Sequence, residues 1–127
     1  DRLLSMSGFA SKAQLLQSSL FCLCLENARG CQGYISEKVF DALHCGCIPI
    51  LKVCNGMTDF LPDDCYVNLD QFSSPLDLYQ YLDSLTFDEL CALRLSGARF
   101  LSSTTYLSRF SFESFASSLA IATGSVA

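Results

Sequence analysis

The sequence is poor in charge, and this shortage excludes one large class of function. Only 17% of its 127 residues are charged, and the eight Lys and Arg are scattered among 13 Asp and Glu, for a net charge of −5. A general nucleic-acid binder needs clustered positive charge to neutralise phosphates. We therefore expect no nucleic-acid partner, although a single small anionic ligand needs only a few positive groups.

Long apolar stretches are also missing. A membrane-spanning helix needs roughly 18 apolar residues, whereas the longest candidate, 45–53, is broken by Gly46, Pro49 and Lys52. We find no positively charged leader before an apolar core of signal-peptide length. Half of the residues are nonetheless hydrophobic, which indicates one folded globular domain. Because the chain begins with Asp1, we expect it to be a soluble piece of a longer protein.

Histidine is nearly absent, whereas cysteine is abundant, with one His and eight Cys. The even number of cysteines permits a disulfide framework and a secretory compartment. Most of them lie in apolar runs, where a free Cys behaves as a small buried hydrophobe, and we favour this interpretation. A zinc site is a third interpretation of the cysteines. However, His44 near Cys45 and Cys47 lacks a second ligand pair at a standard spacing. We interpret His44 as a helix-end residue, and a cysteine-rich structural or redox domain stays as an alternative.

Apolar runs alternate with helical patterns, which predicts an α/β fold with a parallel sheet. Buried strands are expected at 20–25, 47–51 and 65–69, the first covered on both faces. The expected helices lie at 12–19, from Ser36 to Gly46, after Ser74-Pro75, after the capping box Thr86 to Glu89, and after Ser111. Side chains expected to face inward include Leu15, Leu16, Leu78, Tyr79, Leu82, Phe112, Phe115 and Leu119. We predict one domain over 12–121, with a loose flank at 1–11 and a tail at 122–127.

The most informative stretch joins the first strand to the helix that follows Ser36. The strand ends at Leu25-Glu26-Asn27, and the helix begins with Glu37-Lys38. Backbone N–H groups, the positive end of the helix dipole and Lys38 should therefore converge there, which suits a diphosphate. Ligands of open α/β sheets bind at that carboxyl edge. The pattern indicates a nucleotide or nucleotide-sugar pocket.

At these residues the sequence resembles the C-terminal, donor-binding half of the α1,3/4-fucosyltransferase family, over roughly residues 12 to 120. The family's strand ending in Phe-Glu-Asn appears as 25–27, and its Tyr-[Ile/Val]-[Thr/Ser]-Glu-Lys block as 34–38. The later blocks are matched by Gly46-Cys47-Ile48-Pro49-Ile50, Phe60-Leu61-Pro62, Asp70-Gln71-Phe72, Ser74-Pro75-Leu76-Asp77-Leu78 and Arg109-Phe110-Ser111-Phe112.

The resemblance implies an inverting hexosyltransferase of the two-domain GT-B type, with Rossmann-like parallel sheets flanked by helices. The implied reaction transfers fucose from GDP-fucose to a hydroxyl of an acceptor glycan on a glycoprotein, glycolipid or oligosaccharide. No metal or cofactor is implied. The general base would come from the missing N-terminal domain, so no catalytic residue is expected here and the fragment alone should be inactive. Eukaryotic members imply the lumenal side of the Golgi membrane, and bacterial members the cytoplasm.

Carried over from the family, Asn27, Tyr34, Glu37 and Lys38 would contact the donor, and Glu26 would orient the loop or touch the donor. Glu37 would accept hydrogen bonds from ribose hydroxyls, and Lys38 would offset charge building on the diphosphate.

One departure concerns the turn after the second strand, where the family's Gly-spacer-Pro is replaced by Val53-Cys54-Asn55. A lost glycine alters the turn or hinders close backbone approach. This leaves a non-catalytic nucleotide-sugar-binding module, or inactive relic, as an alternative. No partner is visible in the sequence for Asp41, and we expect it, Arg94 and Arg99 to be solvated.

Overall fold

The computed structural model describes residues 9–25, 35–53 and 56–122 of the chain. Its elements are α1 (Phe9–Gln17), β1 (Phe21–Cys24), α2 (Glu37–His44), β2 (Ile48–Leu51), a 3-10 helix (Asp63–Cys65), β3 (Val67–Asn68), a second 3-10 helix (Leu69–Gln71), α3 (Pro75–Ser84), α4 (Phe87–Leu101), α5 (Thr104–Phe110) and α6 (Phe112–Ala122). This mixture of helices with a small sheet confirms the α/β prediction. Within these three ranges, no helix is both long and apolar enough to cross a membrane.

The three strands form a parallel sheet, as predicted. Their order in the sheet is β1-β2-β3. Phe21 pairs with Ile48, and Ile50 pairs with Val67. The third strand is shorter than the predicted 65–69, because its flanks turn into 3-10 helices. Beyond the strand, Asn68 Oδ1 accepts a hydrogen bond from the Asp70 backbone N–H at 2.9 Å. Such a side-chain turn competes with continuation of the strand.

The sheet separates two hydrophobic clusters, because side chains alternate between its faces. On β2, Ile48 and Ile50 face the smaller cluster, whereas Leu51 faces the larger one. The larger cluster holds Val39, Ala42 and Leu43 of α2, Phe100 of α4, and Leu16, Met57 and Leu61. Leucines of α3 and α4 cover the smaller cluster, namely Leu78, Leu82, Leu90 and Leu93. Helices therefore lie on both faces of the sheet.

The prediction that the first strand is buried on both faces is wrong. In the described part of the chain β1 has β2 as its sheet neighbour on one side, and Leu23 is 55% exposed. Leu20 and Leu25 beside it are also about half exposed. The pattern of continuous burial applies instead to β2, whose four residues are all buried. An apolar run alone did not distinguish a central strand from an outer one.

The structure confirms the helix caps that the sequence predicts. Ser74 Oγ accepts from the Asp77 N–H at 3.1 Å, and Thr86 and Glu89 form a capping box. Ser111 Oγ accepts from the Ser114 N–H at 3.1 Å, and α2 ends before Gly46 at φ +72°. Each cap satisfies backbone groups that the helix leaves unpaired.

Several side chains predicted to face inward are exposed instead. Leu16, Leu78 and Leu82 are buried or partly buried in the clusters as expected. The residues for which the prediction is wrong are Leu15, Tyr79, Phe112, Phe115 and Leu119. For the last three the reason is that α6 packs chiefly against α5, a helix that the sequence patterns did not predict.

Five of the six described cysteines, all except Cys91, lie in the larger hydrophobic cluster or pack against it. Cys22, Cys24, Cys45, Cys47, Cys65 and Cys91 form no disulfide, and Cys31 and Cys54 lie outside the described residues. Burial raises the pKa of the Cys47 thiol to about 11 and that of Cys65 to about 12. For these six the structure confirms the free-thiol interpretation and argues against a disulfide framework.

Candidate functional site

The carboxyl end of β1 and the amino end of α2 meet, as the sequence predicts for a strand-loop-helix unit. The Lys38 ammonium donates a hydrogen bond to the Leu25 carbonyl oxygen, with 2.9 Å between Nζ and O. The Cys24 thiol lies 3.6 Å from the Lys38 carbonyl oxygen, which brings the two backbones together. A lysine side chain is thereby held over the end of the strand, in the first turn of the helix.

The orientation of α2 follows from its cap and its buried face. Ser36, which is 9% exposed, lies before the first turn, and its Oγ accepts from the Lys38 N–H at 3.4 Å. Val39, Ala42 and Leu43 bury the opposite side of the helix in the larger cluster. These contacts leave Glu37 exposed at the N-terminus, where a carboxylate is favoured by the helix dipole.

Two of the five predicted donor-binding residues, Glu37 and Lys38, are brought to this edge together. The other three, Glu26, Asn27 and Tyr34, lie outside the described residues. Of the altered turn, Cys54 and Asn55 also lie outside them, while Val53 is partly buried against the larger cluster. Their roles toward a ligand therefore stay predictions.

A cavity of about 320 Å³ lies where β2 and β3 end. Val53 follows β2, Asn68 ends β3, and Gln71 lies just beyond it; all three line the cavity. The Tyr66 hydroxyl, also in the lining, donates to Asp63 Oδ1 at 3.0 Å. Burial, reinforced by Asp63, holds the pKa of Tyr66 well above its ordinary value. Sequence reasoning assigned no role to Asn68 and Gln71, although their position after a strand marked them as edge residues.

Asp41, expected to be solvated and without a partner, forms an ion pair with Lys12 of α1 at 2.6 Å. The hydrogen bond to Asp41 raises the pKa of Lys12. The two residues are 29 positions apart, so helical spacing gave no signal for the pair.

The positions of His44, Arg94 and Arg99 agree with the sequence predictions, but the sequence did not predict their contacts. His44 ends α2 as predicted, and its Nε2 is 2.9 Å from the Tyr106 hydroxyl. Arg94 and Arg99 are exposed on α4, as expected. Arg94 additionally lies against Gly46: its Nη2 would be 3.0 Å from a Cβ built there.

The structure and the comparison with known proteins agree on the class. A parallel sheet whose carboxyl edge carries a helix N-terminus and a lysine has the arrangement of nucleotide-binding α/β domains. The model of the C-terminal region of glycosyltransferase family 10 (fucosyltransferase) matches residues 6–94, more than half of the chain. The chain belongs to this family, whose activity is glycosyl transfer of the fucosyltransferase type. No solved structure matches the chain.

Metal ligands do not cluster in the described part of the chain. Across residues 9–25, 35–53 and 56–122, the structure has no group of three or more His, Cys, Asp or Glu placed to hold a metal ion. The positively charged side chain that α2 places at this edge is that of Lys38.

Proposed function

We propose that this chain is the donor-binding part of an inverting transferase that moves fucose from GDP-fucose to a hydroxyl of an acceptor glycan. The observation that carries the proposal is the position of Lys38, whose ammonium is held over the end of β1 in the first turn of α2. Membership of the fucosyltransferase family supports it, since that class uses a nucleotide-sugar donor and a glycan acceptor.

Lys38 has a role in the transition state. As the bond between fucose and the diphosphate breaks, negative charge grows on the leaving oxygen. An ammonium and a helix N-terminus at that place stabilise this charge more than they stabilise the intact donor, which lowers the barrier. Glu37 beside it is exposed, and its carboxylate accepts hydrogen bonds from the ribose hydroxyls.

In this proposal the nucleoside occupies the cavity at the ends of β2 and β3. Asn68 and Gln71 line it, and their amides carry both donors and acceptors, which suits the edge of a purine base. The loop between β1 and α2 supplies the remaining contacts in this proposal: Asn27 and Tyr34 beside the sugar and diphosphate, and Glu26 orienting the loop.

Catalysis requires the rest of the protein. The acceptor hydroxyl must lose a proton to a general base, and we propose that this group belongs to an N-terminal domain facing the present one across a GT-B cleft. The chain alone is then inactive. No metal or other cofactor is needed, because Lys38 and the helix N-terminus meet the leaving-group charge. A eukaryotic enzyme of this kind would work on the lumenal side of the Golgi membrane, and a bacterial one in the cytoplasm.

Calorimetric titration with GDP and GDP-fucose tests the proposal, using this chain and the full-length protein. We expect Lys38→Ala to weaken GDP binding about tenfold, the usual cost of losing a charged hydrogen bond. Glu37→Gln should weaken it less. Arg94→Ala removes a positive charge from a different face and should leave binding unchanged.

Binding and transfer measurements on the full-length protein distinguish the enzyme from a non-catalytic binding module. Saturable GDP-fucose binding with fucose transfer supports the enzyme. Binding without transfer indicates a non-catalytic nucleotide-sugar-binding module. Absence of any GDP binding by the full-length protein would overturn the donor site.

A further inference from the structure

Two neighbouring cavities of about 420 and 440 Å³ lie along α4, away from the first turn of α2. Both are lined by Asp64, Ser96 and Arg99, so they meet along one face of the helix. They share Thr58, Tyr81 and Leu93 with the 320 Å³ cavity at the ends of β2 and β3, here called the edge cavity. The residues that end or follow those strands, Val53, Asn68 and Gln71, line neither of the two. We call this pair of cavities the α4 groove.

The hydroxyl of Ser96 is the most unusual group in the groove. Ser96 is 8% exposed, yet its Oγ makes no hydrogen bond within residues 9–25, 35–53 and 56–122. Two other helical serines bond to the preceding turn: Ser84 Oγ donates to the Tyr81 carbonyl at 2.8 Å and Ser108 Oγ to the Thr105 carbonyl at 3.2 Å. Buried hydroxyls without a partner are rare. Ser96 is therefore positioned to bond with something that enters the groove.

Complementary groups surround that hydroxyl. Arg99 is exposed and forms no ion pair with a described residue, although Asp64 lines the same two cavities. Its guanidinium offers five donors in a plane, and a carboxylate such as Asp64 accepts two or more hydrogen bonds. Ser103 Oγ accepts from the Tyr106 N–H at 3.1 Å, while its own O–H remains a donor. The groove thus offers both hydrogen-bond donors and acceptors.

Charge and shape restrict the class of ligand. Three carboxylates line the groove, those of Asp59, Asp64 and Glu89, but only one guanidinium, that of Arg99. This excess of negative charge disfavours the binding of phosphate and other anions. Tyr81 is 40% exposed, and its ring is braced by Phe72 at a centroid distance of 5.1 Å. A braced aromatic ring beside hydrogen-bond donors and acceptors suits a neutral, polyhydroxylated ligand with apolar C–H faces. Two joined cavities suit an extended ligand more than a compact one.

We propose that the α4 groove binds a neutral oligosaccharide, with Ser96, Arg99 and Asp64 bonding to sugar hydroxyls and Tyr81 stacking against a sugar face. Asp64 and Tyr81 lie within the residues that the family model matches, and Ser96 and Arg99 follow them on α4. The groove would hold a glycan beside the sheet edge independently of the donor, and the proposal does not rest on donor binding at Lys38.

The test is an NMR titration of the ¹⁵N-labelled chain with lacto-N-neotetraose, a neutral tetrasaccharide. We expect saturable shifts at the amides of Ser96 and Arg99, which line the groove and not the edge cavity, with dissociation in the millimolar range. Arg99→Ala should weaken binding about tenfold and Ser96→Ala less, since one bond to a neutral hydroxyl is lost. Arg94→Ala is the matched control, because Arg94 lies on the same helix and lines neither cavity. A sialylated analogue should bind more weakly.

Two results would overturn the proposal: no saturable shift at the highest soluble concentration of tetrasaccharide, or binding that Arg99→Ala leaves unchanged. Thermal unfolding of each variant verifies that it is folded. A parallel titration with GDP keeps the two sites distinct. Lys38→Ala should weaken GDP binding and leave tetrasaccharide binding unchanged. Arg99→Ala should weaken tetrasaccharide binding and leave GDP binding unchanged.

Discussion

Gly97 of α4 lies directly against Leu43 of α2: a Cβ built on Gly97 would be 2.8 Å from Leu43 Cδ2. Both residues are buried, so the leucine has little room to move. The absence of a side chain at this position allows the two helices to approach closely. Because α2 carries Glu37 and Lys38, the contact also positions the candidate donor site.

Gly97→Ala tests this contact, because the substitution should lower the free energy of unfolding if the contact is close and raise it if the contact is not. Alanine normally stabilises a helix interior by about 1 kcal/mol relative to glycine. Here we expect a loss of about 1–3 kcal/mol from overpacking, measured by urea denaturation. In a Leu43→Val background, whose shorter side chain has no Cδ atoms, the loss should shrink. Stabilisation by Gly97→Ala in the wild-type background would contradict the close contact.

Gly46→Ala should destabilise the chain for a different reason. Gly46 has φ +72°, a conformation that costs residues with a side chain about 1–2 kcal/mol. The new methyl group would also meet Arg94 Nη2 at 3.0 Å. Arg94 is exposed and can move away, so we expect most of the loss to persist in an Arg94→Ala background. Full rescue by Arg94→Ala would show that the side-chain contact, and not the backbone, is responsible.

Glu89→Gln should remove part of the acid sensitivity of α4. The backbone N–H and then the hydroxyl of Thr86 bond to the Glu89 carboxylate and lower its pKa below the ordinary 4.5. A carboxyl with a lowered native pKa stabilises the fold above its unfolded pKa, and this contribution is lost as the pH falls. Thermal midpoints should therefore fall less steeply below pH 4.5 in Glu89→Gln than in wild type. Equal slopes would contradict the capping-box bond.

Cys65 should make the fold sensitive to alkali. Burial raises its pKa from 9.0 to about 12, so above pH 9 the unfolded chain loses this proton while the native chain keeps it. Stability then falls as the pH rises toward the native value, by at most about 1.4 kcal/mol per pH unit. Cys65→Ala should flatten that decline when urea midpoints at neutral and alkaline pH are compared. A decline equally steep in the variant would assign it to other groups.

The sequence predicted features that local chemistry decides. Ser36, Ser74 and the Thr86–Glu89 box cap helices because the hydroxyl and the N–H groups it serves are a few residues apart. The meeting of Lys38 with the end of β1 followed from topology, since any strand-loop-helix unit brings these ends together.

Features that depend on distant parts of the chain were not predictable in this way. The apolar character of Leu23 and Phe112 did not reveal whether another element would cover them, and both are exposed. The ion pair between Lys12 and Asp41 and the α4 groove both join segments far apart in sequence. The candidate site was predicted at Glu37 and Lys38, whereas Asn68 and Gln71 reach the edge cavity through β3, a strand of only two residues.

One helix, α4, belongs to both hydrophobic clusters. Leu90 and Leu93 in its first half contribute to the smaller cluster, and Phe100 and Leu101 near its end to the larger one. Neither face of the sheet can lose its packing without loosening the helix that the other face depends on. Unfolding should therefore be cooperative, with one transition for both layers and no stable intermediate that retains only one of them.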